Sequence, residues 1–352
     1  MNREFWKNKK VFVTGHTGFK GGWLSLWLTK MGAEVKGYSL SPDKPQSFFS
    51  STNLNSIIDS QIGDIRDEKN LLKSLNLFKP EIVFHLAAQP LVRRSYQEPM
   101  ETFHTNIIGT SNLLNSLRGI DTLRAVIVIT TDKCYENNDL SVAFKESDPL
   151  GGKDPYSASK ACAEIVTYSF KQSYFKEQDI GVASARAGNV IGGGDWSDDR
   201  LIPDALRSFS INETLTLRNP NSIRPWQYVL EPCLGYLVLA EKLFYEPSKF
   251  SSSFNFGPSN KGEKKVSWII ENLSKYFKDP SWEQDQSSNP HESKILKLNT
   301  QKAKKLLAWN PKYDLEKTLE KIYQWHHHAS SKGDMREYSL KEIDEYLFFN
   351  KR

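Results

Sequence analysis

Near the start of the chain, Thr14-Gly15-His16-Thr17-Gly18-Phe19-Lys20-Gly21 separates two apolar segments, with its glycines spaced G-x-x-G-x-x-G. Val11-Phe12-Val13 before it reads as a short buried strand. The stretch from about 23 to 31 reads as an apolar helix closed by Gly32, with Trp23, Leu24, Leu26 and Trp27 in the core. A strand that turns at once into a helix packed on it needs residues without side chains at the turn. They allow the tight bend, the approach of a ligand to the backbone, and the contact of helix with strand. Amides freed at such a helix start favour a phosphate. The turn therefore predicts a dinucleotide site at Gly15, His16, Thr17, Gly18, Phe19, Lys20 and Gly21.

The first half of the chain keeps this alternation. Strands are expected near 35–38, 82–86 and 125–129, the last two as continuous apolar runs suited to a sheet covered on both faces. Phe103, Ile107, Leu114 and Leu117 mark an amphipathic helix between them. The fold class expected is α/β, a Rossmann-type doubly wound parallel sheet. After about Asn189, a glycine triplet (192–194), prolines and short mixed segments suggest a smaller C-terminal α/β substrate-binding lobe, with helices near 268–276 and 301–307. The expected division is a nucleotide-binding domain over 1–188 and a substrate lobe over 189–352, with later elements free to return to the first. His326, His327 and His328 sit inside a helical pattern and read as native sequence.

Composition excludes some functions. The net charge of +5 is mild, and Lys and Arg are spread rather than striped, so nucleic acid is not the expected partner. No apolar run approaches the ~20 residues of a membrane span, and the first ten residues lack the apolar core of a signal peptide. Cys134, Cys162 and Cys233 lie far apart, without metal-type spacing, and read as reduced thiols of a cytoplasmic protein with no metal site.

Chemistry is concentrated in Tyr156-Ser157-Ala158-Ser159-Lys160. Residues four apart on a helix share a face, so a lysine ammonium there is expected to lower a phenol from its ordinary ~10. The resulting tyrosinate takes a proton from a hydroxyl while hydride leaves the same carbon. Gly63-Asp64-Ile65 fits either an aspartate beside an adenine or a plain turn. The second strand ends Gly37-Tyr38-Ser39-Leu40, without the acid that takes a ribose 2′-hydroxyl, which leaves NAD versus NADP open. His16 and His85 read as structural.

In this order the motifs resemble the extended short-chain dehydrogenase/reductase family over nearly the whole chain. Leu86-Ala87-Ala88-Gln89 resembles the family's segment beside the cofactor, Asn106 its helix asparagine, and Arg186-Ala187-Gly188-Asn189-Val190 the strand leading into the sugar-nucleotide lobe. Thr131-Asp132-Lys133 stands where thymidine- and GDP-linked 4,6-dehydratases carry Thr-Asp-Glu, so Lys133 departs from those branches. It is similar to the cytidine-linked branch, as are the glycine turn itself, Asn189-Val190-Ile191-Gly192-Gly193-Gly194-Asp195-Trp196, Arg224-Pro225-Trp226-Gln227-Tyr228-Val229 and Asp334-Met335-Arg336-Glu337.

The resemblance implies NAD as cofactor, CDP-glucose as substrate, and a redox-neutral dehydration serving deoxysugar and lipopolysaccharide O-antigen biosynthesis. Tyr156, with Lys160 and Thr131, takes the 4-hydroxyl proton as hydride passes to NAD+. Asp132 protonates the departing 6-hydroxyl. Lys133 either removes the C5 proton or polarises the 4-keto oxygen. Asn189 and Arg224 match diphosphate-holding positions, Leu201, Ile202 and Pro203, after Arg200, resemble the segment lining the base, and Arg200 and Tyr228 are placed with the substrate. Trp196 and Trp226 either stack on the substrate or pack. Helices near 99–117 and 156–175 imply a homodimer. The rival readings are a 4-epimerase or reductase of the same family, which needs no acid and base beyond Thr131, and a non-catalytic cofactor-binding regulator.

Overall fold

The computed structural model describes residues 1–138, 142–287 and 293–349. Its centre is a seven-stranded parallel sheet: β1 (Lys10–Thr14), β2 (Glu34–Ser39), β3 (Asp59–Ile62), β4 (Ile82–His85), β5 (Ala125–Thr130), β6 (Gly181–Ala187) and β7 (Ser253–Phe256). The spatial order is β3-β2-β1-β4-β5-β6-β7. Strand order reverses between β1 and β4, so a crevice opens at the carboxyl ends of β1, β4 and β5, the place where open α/β sheets hold ligands. Thr14 stands opposite both Tyr38 and His85 there.

One face of the sheet is covered by Trp23, Trp27, Leu237 and Trp325, the other by Leu71, Leu113, Leu117 and Phe175. Helix α1 (Phe19–Lys30) begins inside the glycine turn, four residues earlier than its apolar run suggests. The chain after Asn189 does not stay in a separate lobe. β7 adds to the main sheet beside β6, in the register Asn255 to Arg186. The smaller lobe is built from helix Leu201–Ser210 and three short strand pairs around Ile202, Leu206, Phe209, Ile269 and Leu319.

One periodic segment folds differently from its pattern. Phe103, Ile107, Leu114 and Leu117 predict a single amphipathic helix, but the chain runs Pro99–Phe103, a π-turn His104–Ile108, then Gly109–Leu117. Phe103 and Ile107 are only half-buried, whereas Thr102, Asn106 and Thr110 turn inward. The reason is polar satisfaction. The Asn106 amide donates to the Gln89 carbonyl (3.1 Å) and the Ser159 hydroxyl (2.8 Å), and its oxygen accepts the Gln89 amide (2.8 Å). A buried side chain with three partners overrides an apolar period.

Candidate active site

The glycine turn is built as its spacing requires. Gly15 has φ of +79°, and a Cβ there would come within 2.7 Å of the Ala87 amide nitrogen. A Cβ on Gly21 would lie 2.0 Å from the Gly15 carbonyl oxygen. These contacts leave a bare backbone cradle at the start of α1, which fits the pyrophosphate of a dinucleotide. Thr14 Oγ1 accepts the amides of Leu86 and Ala87 (3.2 Å each) and bonds His85 Nδ1 (2.7 Å), tying the first strand to the segment Leu86-Ala87-Ala88-Gln89. Asn106 then joins that segment to the helix α2 (Pro155–Phe170), as described above.

The missing acid at the end of β2 has a structural counterpart. The His16 ring lies over Gly37, where a Cβ would meet it at 2.3 Å, and His16 Nε2 bonds Ser60 Oγ (2.7 Å). Thr17 bonds Ser39 Oγ (2.8 Å) and the Leu40 carbonyl (2.9 Å). Burial lowers His16 to about 4 and His85 to about 3, so both rings are neutral packing elements. Asp64 holds Arg66 at 2.5 Å and also accepts the Arg66 amide, bonds that hold its carboxyl below the ordinary value. Ile65 is buried against Gly109.

A cavity of about 310 Å³ opens from the carboxyl ends of β5 and β6, lined among others by Phe19, Lys20, Thr131, Asp132, Lys133, Tyr156, Asn189, Arg200, Leu201, Ile202 and Arg224. Residues from six separate stretches of sequence meet there. Thr131 caps a 3₁₀ turn, Asp132–Cys134, accepting the Lys133 amide (3.3 Å) and donating to Asp132 Oδ1 (3.0 Å). Asp132 Oδ2 is buried without a partner among the described residues. Burial raises the Asp132 carboxyl, although Lys133, the Thr131 hydroxyl and Arg224 pull it down. Gly188 provides its room, since a Cβ there would lie 1.8 Å from Oδ2.

Tyr156 and Lys160 lie on α2, whose N-cap Asp154 accepts the Ser157 amide (2.9 Å), while the Tyr156 amide donates to Ser95 Oγ (3.1 Å). The electrostatics differ from the simple pairing expected. Burial pushes the phenol up to about 12, and the groups pulling it down are the Thr131 hydroxyl and the Arg200 charge. Lys160 instead donates to the Ile129 carbonyl (3.2 Å), and burial with the Lys20 charge lowers it to about 7. Lys20 is itself lowered to about 8, first by burial. Helical spacing placed the two side chains on one face, but tertiary burial sets their proton affinities.

Tyr228 does not reach this cavity. Its ring, on the last residue of the short strand Gln227–Tyr228, is buried 5.4 Å from Tyr313 and 6.4 Å from Tyr346. Trp196 packs edge-on against His326 (4.7 Å) outside the cavity, whereas Trp226 lines it and donates to the Lys264 carbonyl (3.0 Å). Sequence reasoning missed Glu164, four residues beyond Lys160 on the same face. It accepts Thr130 Oγ1 (2.5 Å), Ser184 Oγ (2.5 Å) and Arg186 Nη2 (2.8 Å), and so fixes where β5 delivers Thr131. The repeat of four through 156, 160 and 164 was its available signal.

The sequence profile described as GDP-mannose 4,6 dehydratase matches residues 12–322. The chain belongs to that dehydratase family. A CDP-glucose 4,6-dehydratase of Salmonella typhimurium (strain LT2) is 50% identical to this dehydratase-family chain over 99% of it and 98% of the relative. Among solved structures, a dTDP-glucose 4,6-dehydratase of Bacillus anthracis in complex with NAD superimposes with a TM-score of 0.77 at 20% identity, covering 93% of this chain and 99% of that one. A UDP-glucose 4-epimerase of Thermotoga maritima with UDP-glucose gives 0.78 at 23% identity, covering 91% and 99%. These two likenesses establish the family fold. No helix among the described residues is long and apolar enough to cross a membrane.

Proposed function

We propose that this chain is a CDP-glucose 4,6-dehydratase, a hydro-lyase that converts CDP-glucose to CDP-4-keto-6-deoxyglucose and water. The observation that carries the reading is the convergence of Thr131, Asp132, Lys133 and Tyr156 on one cavity beside a glycine turn, in a chain half identical to a relative bearing that name. An epimerase has no use for a buried carboxyl and an amine beside the tyrosine, and this pair favours the dehydratase.

The cradle from Gly15 to Gly21 and the strand-end segment through Gln89 hold the dinucleotide, with Asn106 setting the distance of that segment from α2. Bound NAD supplies the site for hydride taken from C4 and returned to C6. Tyr156, in its phenolate form, accepts the 4-hydroxyl proton, and the Thr131 hydroxyl pulls the phenol's proton affinity down. Asp132, whose carboxyl burial raises, carries a proton to the departing 6-hydroxyl. Lys133, turned into the same cavity, removes the C5 proton. Arg200, held by Asp195 (3.0 Å), and Arg224 offer forked donors to the diphosphate, with Asn189 beside them. Asp64, oriented by Arg66, stands beside the adenine.

Assembly as a homodimer is supported by an apolar stripe on the helices Pro99–Phe103 and Pro155–Phe170. Met100 is 60% exposed, Ile165 57% and Tyr168 60%, and a patch of this kind marks an interface. A monomeric mass in light scattering at micromolar concentration removes the dimer. The cytoplasm is the compartment proposed, and deoxysugar assembly for O-antigen the destination of the product. The test of function is incubation with CDP-, dTDP-, GDP- and UDP-linked glucose or mannose, followed by mass analysis. Loss of water from CDP-glucose, without net NADH, is expected. No loss of water from any of them overturns the assignment.

A further inference from the structure

Besides Tyr156, Asp132 and Lys133, the cavity is lined by Asp199, Asp204 and Arg218, the last within 3.6 Å of Asp199. The lining also includes Ile202, Leu215 and Leu217, buried aliphatic side chains able to pack against the face of a base.

Asp204 is a half-buried carboxylate on the helix Leu201–Ser210, one turn beyond Arg200. Arg207 on the next turn engages Oδ1, and Arg207 is itself tethered to the Trp196 carbonyl (3.2 Å). The Oδ2 oxygen accepts no hydrogen bond among the described residues. Asp199, another carboxylate lining the cavity, is held through Oδ1 by two guanidinium groups, Arg93 (2.9 Å) and Arg218 (3.6 Å), against the single Arg207 on Asp204. Of the two carboxylates, Asp204 is the less neutralised and shares its helix with the apolar Ile202.

Pyrimidines differ at the edge such an acceptor meets. Cytosine presents an exocyclic amine, a donor, at position 4, whereas uracil and thymine present a carbonyl oxygen there. An anionic acceptor bonds the first and repels the second. We infer that Asp204 is the base-specificity residue, accepting the 4-amino group of cytosine through Oδ2 and excluding uridine- and thymidine-linked sugars. The inference rests on the dehydratase reading above and names what selects its nucleotide.

The test is a chemical double-mutant cycle on the full-length holoenzyme. Wild type and Asp204→Asn are assayed with CDP-glucose, UDP-glucose and the diphosphate-glucose of 2-pyrimidinone riboside, which lacks only the 4-amino group. In wild type, removing the amine is expected to lower kcat/KM roughly 10- to 100-fold. In Asp204→Asn the same change costs less than about threefold, and the preference for CDP- over UDP-glucose falls by a similar 10- to 100-fold factor. The loss with CDP-glucose falls in KM, with kcat retained. Equal amine effects in both proteins overturn the inference, as does an unchanged CDP/UDP preference. Should Asp204→Asn fail to fold, the wild-type comparison decides: a pyrimidinone substrate as good as CDP-glucose overturns it. Wild type that dehydrates none of these sugars refutes the function itself, a separate result.

Discussion

Replacing Arg186 by Met tests how the catalytic helix is held. Arg186 and Glu164 are 3% and 2% exposed and meet at 2.8 Å. Glu164 also accepts Thr130, Ser184 and, at 3.2 Å, Ser253, so the pair joins α2 to β5, β6 and β7 at once. Arg186 further donates to Tyr135 Oη (2.8 Å) and the Glu146 carbonyl (3.2 Å). Removing the guanidinium leaves a buried carboxylate on hydroxyl donors alone. Breaking a buried pair from one side costs about 3–5 kcal/mol, a large share of the roughly 5–15 kcal/mol that keeps a domain folded. Urea unfolding followed by tryptophan fluorescence is expected to show that loss, with reduced turnover because Thr130 precedes Thr131. The double variant Glu164→Leu with Arg186→Met recovers only part, since three hydroxyls lose their acceptor at about 1–3 kcal/mol for each one left unsatisfied.

The pair also has a pH signature. Burial alone raises the Glu164 carboxyl, but the Arg186 guanidinium and the two hydroxyls outweigh it and leave it below the ordinary value. A depressed carboxyl stabilises above its unfolded pKa of ~4.3 and loses that contribution as pH falls through the folded value. Losing the guanidinium lifts the Glu164 carboxyl, so the difference between wild type and Arg186→Met shrinks as pH falls from the variant's raised value through the depressed wild-type one. A loss under about 1 kcal/mol at pH 7 would refute the account of a buried, mutually dependent pair.

Other consequences are equally direct. Lys20→Met removes a positive charge that lowers Lys160, so the alkaline limb of kcat/KM, which reports the free enzyme, is expected to move to higher pH; an unmoved limb disconnects the two lysines. Gly21→Ala forces a Cβ onto the Gly15 carbonyl and is expected to abolish NAD binding in a fluorescence titration, and normal affinity would contradict the packing described. Lys133→Met is expected to keep NADH formation in a single turnover while losing elimination of water; unchanged dehydratase turnover takes Lys133 out of the mechanism.

Local sequence carried the parts of this protein that depend on neighbours along the chain. The glycine turn is one, because only residues without a Cβ clear Gly15 and Ala87. The apolar strands are another, and the helical spacing of Tyr156 and Lys160 a third. These are short-range demands, legible as spacing. Tertiary structure alone decided the proton affinities of Tyr156, Lys160 and Asp132, since burial outweighs the nearest charge at each. It also turned Tyr228 into the C-terminal packing, returned β7 to the main sheet, and buried Asn106 against an apolar period. Desolvation and the pairing of buried polar groups depend on segments a hundred residues away, and a one-dimensional pattern does not encode which of them arrives.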